Sequence, residues 1–110
     1  MSTGMEPLRV AITTSDDVTT LVVAGEVDVF SLPPFRAGFL QAWESAAATL
    51  VADLTGVSFV DASGIGALVA LCHEARDRGC RLVVRPSQSV RRVARLVGVD
   101  SFVLPFDHGA

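Results

Sequence analysis

Short apolar runs alternate with stretches of helical period along this chain, and that alternation does most to restrict its fold. Leu8 to Thr14 reads LRVAITT, with Leu8, Val10 and Ile12 alternating, and Thr19 to Ala24 reads TTLVVA. Ser15-Asp16-Asp17 between them is turn chemistry, because short polar side chains bond their own backbone and tolerate tight dihedrals. The pair predicts a β-hairpin. Gly25-Glu26-Val27-Asp28 then marks where the second strand is expected to stop and the chain to leave the sheet.

Ser31 is placed as an N-cap, and Pro33 and Pro34 suit a first helical turn, where their missing N–H costs nothing. Phe35, Phe39 and Trp43 recur at helical spacing, a stripe expected to pack in the core because aromatic rings bury large areas. Thr49 to Leu54 (TLVADL) reads as a central strand buried on both faces, bounded by Thr55-Gly56. From Ile65, the residues Leu68, Val69, Cys72 and Ala75 follow helical spacing until Gly79, with His73, Glu74, Arg76 and Asp77 off that face. Arg81 to Arg85 (RLVVR) is a further strand. Pro86-Ser87 opens a third helix with Val90, Val93, Ala94 and Val97 as its buried stripe. Ser101 to Leu104 is expected as a last short strand and Pro105 to Ala110 as a frayed tail.

The order β-β-α-β-α-β-α-β defines an α/β fold: a mixed sheet of four to five strands with three main helices, an initial β-hairpin and then βαβ crossovers. A length of 110 residues fits one domain over 1–110, its core from about 8 to 106.

Composition then removes several kinds of function. The formal net charge is −3 and every basic residue is Arg, so no overall basic field favours nucleic acid or anionic lipid. Arg91, Arg92 and Arg95 read as one solvated helix flank. Cys72 and Cys80 lack CxxC spacing, and His73 and His108 are far apart, so neither a metal site nor a disulfide framework is expected. No stretch approaches the ~18 uninterrupted apolar residues of a membrane span, and the N-terminus lacks an apolar signal region. A cytoplasmic protein with free thiols and no cofactor is the expectation.

Catalysis finds no constellation either. A nucleophilic Ser needs a His and an orienting acid, and neither His falls near a suitable Ser. Glu26, Asp28 and Asp61 read as solvated acids, with nothing that supplies a sugar cleft or a metal cage. The segment Asp61-Ala62-Ser63-Gly64 is different, because it joins a strand end to a helix start, where open α/β sheets meet ligands and partners. Asp61 can cap that helix, and the helix N-terminus favours negative charge placed on Ser63. Gly64 and Gly66 lower helix propensity and are expected to leave backbone uncovered for a partner's approach.

Two motifs carry a family resemblance. Gly25-Glu26-Val27-Asp28 resembles the G-E-(apolar)-D strand end of STAS domains, the family of bacterial anti-sigma-factor antagonists. Phe59-Val60-Asp61-Ala62-Ser63-Gly64-Ile65-Gly66 resembles the family's D-(Ser/Thr/Ala)-(Ser/Thr)-G-(Leu/Ile)-G signature. The match runs from about Leu8 to Phe106. It implies a non-enzymatic protein that binds an anti-sigma factor, a GHKL-type serine kinase, and thereby releases a sigma factor. Phosphorylation at the helix N-terminus blocks that binding, and a phosphatase resets it. The implied partner-binding residues are Glu26, Asp28, Asp61, Ala62, Ser63, Gly64 and Ile65.

In well-known members the phosphorylated hydroxyl directly follows the Asp; here that position is Ala62 and Ser63 comes next. Two readings stay open: Ser63 accepts the phosphate, or the chain is a non-switching STAS subunit of a transporter ATPase or stress-signalling scaffold. A STAS tail of an anion transporter does not fit, since no membrane span is present in the sequence.

Overall fold

The computed structural model describes residues 7–45, 48–99 and 107–108. Among them the order is β1 (Arg9–Ser15), β2 (Val18–Val27), α1 (Leu32–Glu44), β3 (Thr49–Val60), α2 (Ala62–Arg78), β4 (Arg81–Pro86), α3 (Gln88–Leu96) and β5 (Asp107–His108). The strands form one five-stranded sheet in sequence order, β1-β2-β3-β4-β5. The outer pairs β1·β2 and β4·β5 are antiparallel, and the inner pairs β2·β3 and β3·β4 are parallel.

The sequential order decides where the helices go. Right-handed crossovers that always step the same way along a sheet must put their helices on the same face. Leu21, Val23, Leu50, Ala52, Leu54, Leu82 and Val84 alternate onto that face and join one core with Phe35, Phe39, Leu68, Cys72, Val90 and Ala94. The aromatic stripe lies within it, with Phe39 at 0 % and Trp43 at 5 % exposure and the Phe35 and Phe39 rings edge to face at 5.2 Å.

Several expectations need correction. The second strand does not stop at Gly25 but runs on to Val27. Gly25 takes φ 98°, a backbone that side chains resist, and the register with β3 shifts on either side of it, so a bulge replaces the expected exit. Likewise β3 does not end at Leu54; it passes Thr55-Gly56 and reaches Val60. Nor is it buried on both faces. Leu50, Ala52 and Leu54 are buried while Thr49, Val51 and Asp53 are only half-buried, because none of the described helices covers the outer face.

The remaining corrections lie in the helices and at the C-terminus. Helix α2 starts at Ala62, three residues before Ile65, since Asp61 already caps it. In α3 the buried stripe is Val90 and Ala94; Val97 falls after the last helical residue and is 45 % exposed. The expected strand at Ser101 to Leu104 lies outside the described residues. Within the tail expected to be frayed, Asp107–His108 pairs antiparallel with Val83 and Leu82.

Candidate functional site

Both motifs end at the same rim because β2 and β3 are parallel neighbours. Val27 pairs with Val60, Glu26 with Phe59, and the Asp61 N–H donates to the Val27 carbonyl at 3.2 Å. Residues separated by more than thirty positions in sequence thus meet through main-chain bonds, and Asp28 and Asp61 leave the sheet side by side.

On the β2 side, Asp28 organises the loop into α1. Its Oδ1 accepts the Phe30 and Ser31 N–H groups, each at 3.0 Å. The Ser31 Oγ accepts the Asp28 N–H at 2.9 Å and reaches the Glu26 carbonyl at 3.1 Å and Asp28 Oδ1 at 3.2 Å as a donor. Ser31 does hold the N-cap position of α1, but its side chain makes no capping bond to the helix; it braces the loop behind it.

On the β3 side, Asp61 caps α2 as expected. Its Oδ1 accepts the Gly64 N–H at 3.0 Å and the Ser63 hydroxyl at 2.5 Å. Burial pushes the Asp61 carboxyl up, but hydrogen bonds from the Ser63 hydroxyl and from the Gly64, Ser63 and Val29 N–H groups outweigh this and hold it below its ordinary value.

The candidate residues separate by depth. Glu26, Asp28, Asp61 and Ser63 are half-buried and Ala62 is exposed. Gly64 and Ile65 are not at the surface, contrary to expectation: Ile65 is 1 % exposed and Gly64 is buried. A Cβ on Gly64 would stand 2.6 Å from Val60 Cγ2 and 2.9 Å from Val27 Cγ1, so this glycine lets α2 close onto the two strand ends and offers no open backbone. Gly66 is the exposed one, with nothing within 4 Å of its would-be Cβ.

Helix α3 adjoins this rim. The Ser89 hydroxyl donates to the Ser58 carbonyl at 2.9 Å, and the Ser58 hydroxyl to the Gly25 carbonyl at 3.3 Å. Val29 and Phe30, which sequence reasoning passed over, also lie here at 57 % and 88 % exposure, and Phe59 of the second motif, taken from the sequence as buried, is 46 % exposed because it faces away from the helices. The available signal was a pair of apolar residues, Val29-Phe30, set between an acid and a helix cap.

Chemically, the rim offers fixed carboxylates, one hydroxyl bonded to an acid and a helix N-terminus. His73 is on an exposed position of α2, about 15 Å along the helix from Ser63, too far to serve as its base. No group of three or more His, Cys, Asp or Glu among the described residues could hold a metal, and no described helix is long and apolar enough to cross a membrane.

A parallel-centred sheet with helices on one face, and a capped Asp-x-Ser-Gly turn beside a Gly-Glu-x-Asp loop, define the STAS type of domain. The STAS domain family matches residues 9–109, and the chain belongs to it. Among solved structures, an anti-sigma factor antagonist from Mycobacterium paratuberculosis is similar at 24 % identity and a TM-score of 0.74, over 86 % of this chain and 81 % of that one. The anti-sigma factor antagonist SpoIIAA in its unphosphorylated form is similar at 22 % identity and a TM-score of 0.65, over 87 % of this chain and 84 % of that one. These likenesses show a shared fold.

Proposed function

We propose that this chain is a cytoplasmic, non-enzymatic anti-sigma-factor antagonist. It binds an anti-sigma factor of the GHKL serine kinase type and frees the sigma factor. The observation that carries this reading is the Val27–Asp61 main-chain bond, which joins the two motifs into one rim displaying Glu26, Asp28, Asp61, Ala62 and Ser63. The solved structures of similar fold are described as anti-sigma factor antagonists, which supports the same role.

Ser63 is the proposed switch. In the unmodified state its hydroxyl donates a hydrogen bond to Asp61 Oδ1. A phosphoryl group on Oγ removes that proton and puts about two negative charges beside the Asp61 carboxylate, so the pair turns from attraction to repulsion. Asp61 would then lose its grip on the Gly64 N–H, and the rim that the partner reads would change shape as well as charge. A phosphatase restores the original state.

The alternative, a non-switching STAS subunit of a transporter ATPase or scaffold complex, is favoured by one observation: Ala62, exposed at the position the family phosphorylates, has no hydroxyl. Intact-mass analysis after incubation with a binding kinase and ATP separates the two. One added phosphate mapped to Ser63, with Ser63→Glu weakening association and Ser63→Ala preserving it, supports the switch. Stable binding with no phosphate gained supports the non-switching subunit.

A further inference from the structure

We infer that Phe30 is the aromatic anchor of the partner interface, and that it seats in an apolar pocket ringed by basic side chains on the anti-sigma factor. This rests on the antagonist reading above and names what that partner must present.

Phe30 is 88 % exposed, more than any other large apolar side chain among the described residues. A mobile loop could expose an aromatic by accident, but this one is braced. The Phe30 N–H is held by Asp28 Oδ1 at 3.0 Å, and the following Ser31 N–H by the same oxygen at 3.0 Å. The ring therefore projects from a backbone held at Phe30 and at Ser31, so little ordering cost remains to be met on binding. A rigid, exposed aromatic beside a recognised rim is the pattern of residues that dominate interface energetics.

Charge identifies the surroundings of the receiving pocket. Glu26 and Asp28 stand just before this loop in the chain, and the main-chain bond to Val27 brings Asp61 beside them. Three carboxylates around one apolar projection are complemented by an apolar hollow with lysines or arginines at its lip. Apolar contact would supply the affinity and the charges the steering.

The test is calorimetric titration of the purified chain against each purified GHKL-type anti-sigma kinase of the source genome. Phe30→Ala should raise Kd about tenfold or more, Phe30→Leu should fall between it and wild type, and Leu96→Ala, which truncates an equally conspicuous apolar residue on α3, should bind like wild type. Thermal midpoints should be unchanged in all three. Raising the salt should weaken wild type and Phe30→Ala by the same factor, because the carboxylates remain. A Kd for Phe30→Ala within twofold of wild type overturns the anchor and leaves the antagonist reading standing. Failure of wild type to bind any of these kinases overturns both.

Discussion

The Ser63 hydroxyl donates to Asp61 Oδ1 at 2.5 Å, and the same oxygen takes the Gly64 N–H at 3.0 Å, so a single carboxylate oxygen caps α2 and restrains the one serine of the signature. The cap and the restraint on the serine share an atom. Any change at either residue is felt by the other.

Asp61→Ala should destabilise the fold by about 1–2 kcal/mol through loss of the cap, and Ser63→Ala by about 1 kcal/mol through loss of one hydrogen bond. Acid dependence should follow. The folded-state carboxyl of Asp61 is held below its unfolded value, so below about pH 4 the unfolded state takes up its proton first, and this stabilisation is present above that range and lost as pH falls through the folded value. Denaturant titrations from pH 6 to pH 3 should therefore show a shallower acid decline for Asp61→Asn than for wild type.

Gly64 and Gly66 should respond oppositely to the same substitution. Gly64→Ala drives a methyl into Val60 and Val27 and should cost about 1–3 kcal/mol despite the better helix propensity of Ala. Gly66→Ala meets open space and should stabilise by up to about 1 kcal/mol. Thermal melts of the two variants decide this, and equal shifts would contradict the packing described.

Trp43→Ala should cost about 3–5 kcal/mol, since the ring is buried and its outer face carries the Arg78 guanidinium at 5.5 Å from the centroid. A loss below about 1 kcal/mol in urea titration would place the ring outside the core.

The two thiols should differ in reactivity. Burial pushes the Cys72 thiol up to about 11 despite the opposing charge of Arg76, whereas Cys80 is only partly covered. Iodoacetamide at pH 8 should label Cys80 in the native protein and reach Cys72 only when denaturant is added.

How far the sequence foretold this fold depended on the range of the deciding interaction. The hairpin, the aromatic stripe of α1 and the apolar face of α2 follow from periods of two and 3.6 residues and are visible locally. The full lengths of β2 and β3 are not: Gly25 and Thr55-Gly56 look like stops, and only pairing with a neighbouring strand carries the chain through them. Asp28 and Asp61 were legible as rim acids, because each stands between a strand and a helix. Gly64 was misread as open because Val27, which fills the space above it, lies far away in sequence. Phe30 was overlooked because exposure of an apolar side chain is a property of the folded chain alone.

The main-chain bond from Asp61 to Val27 makes the rim a discontinuous epitope. A synthetic peptide spanning residues 57–71 carries every residue of the second motif, yet it lacks the strand against which Asp61 is aligned and is too short to hold a helix in water. Such a peptide should not compete with the intact chain for the proposed partner, and an antibody raised against it should prefer the denatured protein.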